Sequence, residues 1–430
     1  MTMLASRLAD RALRVAVVSL HTSPLDQPGT GDAGGMNVYI ARTAERMAAA
    51  GAEVDVFTRA TSDRQPDVVH PWPGVRVHYL SAGPLQGVPK EDLPGQVCAF
   101  TSELLRKQSH SAWPPYDVVH SHYWLSGQAA WLAAERWDVP MVHTMHTMAK
   151  VKNSALTERD KPEPRMRVLA EEQLAGVADR FIANTVDEAA DLVDHYGADP
   201  GSVSVVHPGV DMSVFRPGDR AADRRGLGVP EGQFLILFVG RIQPLKAPDL
   251  LLRAVARVVD ARPELRRQLG VVVCGGPSGG TEYMDGLSGL VARSGIEDLV
   301  RFQPPTDAAT LAKWYGAADL VAMPSFSESF GLVALESQAC GTPVLAAGVG
   351  GLRTAVRHGE GGFLIDGHGE SDWADMLASV IVDRSRLDAM SGPAVAYASQ
   401  FSWAATAAAT LAEYRDAIAR HADSGLVVAN

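Results

Sequence analysis

Short apolar, β-branched runs alternate along the chain with stretches in which apolar residues recur every three or four positions. RVAVVSL (14–20), EVDVFT (53–58), VRVHYL (75–80), DVVHSH (117–122), PMVHTM (140–145), RFIANT (180–185) and SVSVVH (202–207) have the length and composition of buried strands. Between them MNVYIARTAERMAAAG (36–51) and PEPRMRVLAEEQLAGVA (162–178) carry helical spacing. Such alternation predicts a parallel sheet covered by helices.

After HPGVDMSVFRPGD the pattern starts again with FLILFVG (234–240), LGVVVCG (269–275), DLVRFQ (298–303), ADLVAMP (318–324) and TPVLAA (342–347). The Pro/Gly-punctuated stretch 207–219 therefore reads as a linker between two α/β sets. The expected organisation is a leader over 1–13, an N-terminal Rossmann-like domain over 14–206, that linker, and a C-terminal Rossmann-like domain over 220–400. The Ala-rich segment FSWAATAAATLAEYRDAIARHA opens a terminal helix over 401–430, expected to pack back across the hinge. A length of 430 residues agrees with two cores rather than one.

Composition narrows the function. With 46% hydrophobic and 21% charged residues, the chain is an ordinary globular one. A formal net charge of -11 disfavours nucleic acid and anionic membrane as partners, so an anionic ligand must be held by a few local cations. Cys98, Cys274 and Cys340 are scattered without a CxxC pair, which argues against a zinc ribbon or disulfide framework and fits a reducing, cytoplasmic compartment. The start MTMLASRLADRALR lacks the apolar core of a signal peptide or membrane span.

Three segments carry chemistry. HTSPLDQPGTGDAGGMNVYI follows the first strand with glycines at 29, 31, 34 and 35 and opens a helix near Met36. Glycines admit close approach of an anion or sugar, and a helix N-terminus presents free N–H groups; the alternative is a permissive turn, and the spacing departs from GxGxxG. RIQPLKAP places Arg241 and Lys246 at the C-terminal edge of the second sheet, where open α/β folds bind ligands, and two cations there suit a diphosphate. PSFSESFGLVALESQACGTP sets Glu328 in a loop and Glu336 in the first turns of a helix starting near Gly331, so both carboxylates can face one cleft and accept sugar hydroxyls. His120, His122, His143 and His146 sit near strand ends. Each taken singly reads as structural, with His120 the candidate for polarising a donor sugar's hydroxyls.

ESFGLVALE (328–336) resembles the E-x7-E motif of retaining glycosyltransferases of the glycogen-synthase-like family four, which implies a GT-B fold, α/β, with two Rossmann-like domains whose parallel sheets face a central cleft. HTSPLDQPGTGDAGGMNVYI, VPKEDLP, HSHYWLSG, HTMHTMAKVKN and RIQPLKAPDLLLRA narrow the resemblance to the branch that moves N-acetylglucosamine from UDP-GlcNAc to 1D-myo-inositol 3-phosphate, releasing UDP, in mycothiol biosynthesis. That resemblance implies an acceptor side of His21, Asp32, Ala33, Gly34, Gly35, Met36, Asn37, Lys90, Tyr123, Thr147 and Arg167, with Lys90 and Arg167 on the phosphate. The implied donor side is Gln27, Pro28, Gly35, Arg241, Lys246, Thr306, Glu328 and Glu336, with Arg241, Lys246 and Glu328 carrying catalysis. Thr306 stands where related sequences can carry arginine near the uracil, which leaves that contact to backbone.

Retention without an enzyme nucleophile implies attack by the acceptor hydroxyl from the face that UDP leaves, helped by positioning and charge stabilisation. The chain has no Asp-x-Asp pair to bridge a metal to the diphosphate. The resemblance still implies a peripheral Mg2+ held by backbone oxygens around Tyr315, Gly316 and Ala318 with Thr342 nearby, and a homodimer. Competing expectations are a hexosyltransferase with another acceptor, such as a sugar phosphate, and a two-domain sugar-binding protein. The latter gives Arg241, Lys246, Glu328 and Glu336 no common role.

Overall fold

A computed structural model of the chain describes residues 11–109, 115–156, 161–278 and 280–428. Of the expected leader, residues 1–10 lie outside the described residues. Arg11 is tied down, its guanidinium donating to Asp117 Oδ2 at 3.1 Å.

Fourteen strands form two sheets among the described residues. The first contains β1 (Arg14–Val18), β2 (Glu53–Arg59), β3 (Val68–Trp72), β4 (Val75–Leu80), β5 (Val118–His122), β6 (Met141–Thr144), β7 (Arg180–Ala183) and β8 (Val203–Val205), in the order β3-β4-β2-β1-β5-β6-β7-β8. All pairs are parallel except β3 with β4. The second contains β9 (Phe234–Val239), β10 (Leu269–Cys274), β11 (Val300–Gln303), β12 (Leu320–Met323), β13 (Val344–Ala347) and β14 (Gly362–Ile365), ordered β11-β10-β9-β12-β13-β14 and parallel throughout. The runs of Val, Ile, Leu and Phe in β1 and β9 are buried because helices cover both faces of each sheet.

Two strands lie outside the runs read from the sequence, both at sheet edges. β3, VVHPW, carries Pro71, which has no N–H for a ladder and is tolerated only where one side of the strand is free. β14, GFLI, is short and follows two glycines.

The C-terminal helix Trp403–Val428 packs on the helix Gly35–Ala49 of the first sheet's layer. Tyr414 Oη meets His120 Nδ1 at 2.6 Å, Ser204 Oγ donates to Glu413 at 2.8 Å, and the Trp403 ring lies edge-on to Tyr39 with centroids 5.9 Å apart. Val210 N–H donates to Phe401 O at 3.0 Å, so the chain runs between the two halves twice, side by side.

Candidate active site

A cavity of about 590 Å3 lies between the C-terminal edges of the two sheets. Its walls come from the loops after β1, β5 and β6 on one side and after β9, β10, β11 and β12 on the other. These are the places where parallel strands end and helices begin, so main-chain groups there are free to meet a ligand.

On the second-sheet wall, Arg241 and Lys246 follow β9. The Lys246 ammonium is paired with the Glu328 carboxylate, both side chains being about one-fifth exposed. The main chain behind Glu328 is tightly backed: Gly351 N–H donates to Glu328 O at 2.8 Å, and a Cβ on Gly350, whose φ is +44°, would stand 2.5 Å from that oxygen. Gly331, at φ +100°, ends the loop and caps the helix Leu332–Ala339, where a Cβ would strike Leu352 at 2.7 Å. This helix carries Glu336, whose carboxylate accepts from Tyr315 Oη at 2.9 Å. Burial pushes the Glu336 carboxyl up to about 7, against the hydrogen bond from Tyr315 and the charge of Arg42.

The glycine loop of the first half closes over this wall. Gln27 Nε2 donates to Thr306 O at 2.8 Å, and Gly276 N–H donates to Gly29 O at 3.0 Å. Asp32 lies 3.8 Å from Arg241, and a Cβ on Gly34 would sit 3.4 Å from Arg241 Nε. Gln27, Pro28 and Gly35 line the cavity; Asp32 and Gly34 touch Arg241. Asn37 is buried and turned inward, accepting from Gly34 N–H at 2.9 Å and donating to Thr22 Oγ1 at 2.7 Å, so it fixes the loop. Ala33 is buried as well, while Met36 lines the cavity.

At the other end, His21, Lys90, Tyr123 and Thr147 line the cavity together. The His21 and Tyr123 rings are 4.6 Å apart, and His21 Nδ1 and Tyr123 Oη are buried without a protein partner. Two orphaned polar atoms in a cavity wall await a ligand or water. Burial, then Lys90, His146, Arg241 and Arg167, holds the His21 ring well below the usual histidine range, so it is neutral. Tyr123 stands at φ 73°, ψ 151°, a conformation that costs a non-glycine residue about 1–3 kcal/mol. Arg167 does not line the cavity. It is 1% exposed and sits behind Tyr123, its carbon Cζ 4.8 Å from that ring, donating to Thr147 Oγ1 at 3.0 Å.

The histidines divide unexpectedly. His120 uses both ring nitrogens internally, with Tyr414 Oη at 2.6 Å and Thr144 Oγ1 at 2.9 Å, so it is a structural residue and not a donor contact. His146 is the one that lines the cavity. Its carbonyl accepts from Ser329 Oγ across the cleft, its Nε2 meets His122 Nδ1 at 2.9 Å, and burial pushes its ring down to about 3. β6 ends at Thr144, and His146 lies beyond it at φ 58°, where strand alternation no longer dictates direction. No spacing rule marks such a residue.

The model of the Glycosyl transferase 4-like domain matches residues 34–209, and that of Glycosyl transferases group 1 matches residues 219–394. A D-inositol 3-phosphate glycosyltransferase from Thermobispora bispora is 57% identical over 95% of this chain and 96% of its own length. Its counterpart from Actinosynnema mirum is 57% identical over 94% of this chain and 97% of its own. The chain belongs to the D-inositol 3-phosphate glycosyltransferase family. A solved sucrose-phosphate synthase from Thermosynechococcus elongatus shares the fold, with a TM-score of 0.87 at 30% identity over 95% of this chain and all of the other. Members of this family are glycosyltransferases of GT-B architecture, and this chain is an enzyme of that kind.

The family resemblance also implied a peripheral Mg2+ held by backbone oxygens around Tyr315, Gly316 and Ala318 with Thr342 nearby, and the oxygens of Tyr315 and Ala318 already accept hydrogen bonds from the protein itself. Tyr315 O accepts from Thr342 Oγ1 at 2.7 Å and from Ala318 N–H at 3.2 Å. Ala318 O accepts from the Arg220 guanidinium at 3.1 Å. A Cβ on Gly316 would meet Asp223 at 2.9 Å, and no cluster of His, Cys, Asp or Glu among the described residues has metal-site geometry.

Proposed function

We propose that the enzyme is a retaining transferase that moves N-acetylglucosamine from UDP-GlcNAc to 1D-myo-inositol 3-phosphate and releases UDP. One observation carries this reading. A cationic wall of Arg241 and Lys246, with the carboxylates Glu328 and Glu336, faces across one cavity the neutral His21, the orphaned Tyr123 hydroxyl and Lys90. The first wall suits a nucleotide diphosphate sugar; the second suits a small hydroxylated phosphate.

In this reading Arg241 and Lys246 neutralise the charge that grows on the diphosphate as the bond from the anomeric carbon to its oxygen breaks. The acceptor hydroxyl oxygen bonds that carbon from the same face, and its proton passes to the departing diphosphate oxygen. Glu328 orients the sugar, and Glu336 accepts the ribose hydroxyls. His146 meets the sugar as a neutral ring. The 207–219 linker and the adjoining 401–403 strand of chain serve as the hinge between an acceptor domain and a donor domain.

The same reading includes a homodimer and a cytoplasmic setting. No helix among the described residues is long and apolar enough to cross a membrane. UDP release measured with UDP-GlcNAc, comparing 1D-myo-inositol 3-phosphate with free inositol, tests the proposal, with Lys90→Ala and Glu336→Ala as partners. Phosphate-dependent turnover lost in both variants supports it. Turnover indifferent to the phosphate would retain a glycosyltransferase and redirect the acceptor assignment.

A further inference from the structure

Arg59, the last residue of β2, is 4% exposed, and its guanidinium has main-chain oxygens for partners. Nη1 donates to Ala60 O at 3.2 Å and to Pro84 O at 2.8 Å, and Nη2 donates to Gln86 O at 2.9 Å. Burial pulls its pKa below the usual arginine range, and among the described residues no carboxylate offsets that. The group is charged all the same, because an arginine titrates far above neutral pH. Buried charges are ordinarily paired with an opposite charge. Here three carbonyls stand in for the counter-ion. The N–H of Arg59 donates to Leu20 O at 3.3 Å, next to His21, so the guanidinium is rooted at the sheet edge that carries the acceptor end of the cavity.

Two of the three carbonyls belong to the segment 81–92, which runs from β4 to the short 3-10 turn Leu93–Gln96. The segment's other main-chain bonds are local: Ala82 N–H to Leu80 O at 3.0 Å, Gln86 N–H to Pro84 O at 2.9 Å and Asp92 N–H to Pro89 O at 2.9 Å. Val88 gives it one apolar anchor on the core of the first half. Four residues beyond Gln86 stands Lys90, which lines the cavity with its ammonium 5.4 Å from the centre of the Tyr123 ring. Lys90 is an exposed side chain, so the backbone that carries it decides where its charge can go. A planar guanidinium that holds two carbonyls two residues apart fixes the orientation of that backbone as well as its position, which a single apolar contact does not.

We propose that Arg59 is a positioning residue for the acceptor's anion: by clamping Pro84 O and Gln86 O it sets where Lys90 stands in the cavity. The inference rests on the acceptor reading above, in which Lys90 meets the phosphate. Arg59 does not line the cavity and touches no substrate; it acts through the 81–92 segment.

Arg59→Met keeps the apolar stem and removes the clamp. Hydrogen–deuterium exchange should quicken at the amides of 83–91 and stay as in wild type in β2 and β4. KM for 1D-myo-inositol 3-phosphate, and the inhibition constant of inorganic phosphate, should rise by about threefold to tenfold, with the donor KM within about twofold of wild type. Arg59→Lys offers one point charge to two carbonyls and should lose less; it carries the same comparisons if Arg59→Met does not fold. The decisive comparison adds Arg59→Met to Lys90→Ala. With no ammonium left to position, the second change should alter the acceptor KM by less than about twofold. Losses that add in full, or an unchanged acceptor KM in Arg59→Met beside a raised one in Lys90→Ala, overturn the proposal. Unchanged exchange over 83–91 overturns the clamp whichever acceptor the enzyme uses. An acceptor KM that ignores Lys90→Ala would instead sink the acceptor reading.

Discussion

The side-chain amide of Gln27, in the glycine loop after β1, donates to the carbonyl of Thr306 just beyond β11, at 2.8 Å. One residue thus joins the two halves at the rim of the cleft, beside the main-chain bond from Gly276 to Gly29. An arginine was absent at 306, and the carbonyl there is engaged by the protein itself.

Gln27→Ala removes the side-chain half of this tie and leaves the main-chain half. A solvent-competed hydrogen bond between halves is worth about 0.5–1.5 kcal/mol, so UDP affinity should weaken by about twofold to tenfold, with kcat at saturating donor nearly unchanged. Titration calorimetry with UDP reads this directly. An unaltered Kd would mean that the tie adds nothing to donor capture.

How much of this was legible beforehand depends on what each residue's neighbours in sequence could signal. Both sheets, the linker region and the cationic and acidic motifs follow from β-branched runs, Pro/Gly punctuation and residues placed just past strand ends, because those are local properties. Edge strand β3 was hidden by Pro71. Arg167 and Asn37 have the right types for a site but turn inward, held by Glu171 and by Thr22, and only tertiary packing decides such a direction. His146 and His120 are indistinguishable by type, and the partner that silences His120 is Tyr414, 294 residues away.

Lys246 is paired with Glu328 in the cleft wall, so its removal has two effects. Lys246→Ala takes away a charge that would stabilise the leaving diphosphate and leaves Glu328 without its cation. Loss of one preorganised group at a developing charge costs about 10²–10³ in kcat, and UDP-release assays under donor saturation should show a fall of that order. A loss confined to donor KM would assign Lys246 to ground-state binding instead.

Glu336 should give UDP binding a pH dependence. Its carboxyl is pushed up to about 7 by burial, and in the proposed donor mode only the ionised form would accept two ribose hydroxyls. UDP affinity should therefore rise with pH through about 6 to 8, levelling off above, while Glu336→Gln binds weakly and without that slope. For stability the sign is opposite: a raised carboxyl favours the fold below its unfolded pKa, and that contribution is lost as pH rises through about 7. Glu336→Gln should accordingly gain in melting temperature at pH 8 relative to wild type and gain little at pH 5. Calorimetric scans at both values, set beside the UDP titrations, separate the two effects.

The strongest test of the scaffold lies on the far side of the first sheet. Asp55, fully buried in β2, accepts from Arg76 Nε at 2.6 Å and Nη2 at 2.9 Å and from Tyr116 Oη at 3.0 Å, and meets His78 Nε2 at 2.7 Å. Burial alone would raise its carboxyl, but the bonds from Arg76 and His78 outweigh it and hold the group down to about 2. None of these residues lines the cavity. Asp55→Asn leaves Arg14 and Arg76 facing a neutral amide, and removing one member of a buried charged network costs about 3–5 kcal/mol. Urea unfolding at pH 7 should register that loss, while kcat per folded molecule stays close to wild type. In the wild type the contribution is present above the unfolded aspartate pKa and disappears as pH falls through about 2, so the gap between the two proteins should narrow in acid. A pH-independent gap would mean that packing around Asp55, rather than its charge, holds this end of the sheet together.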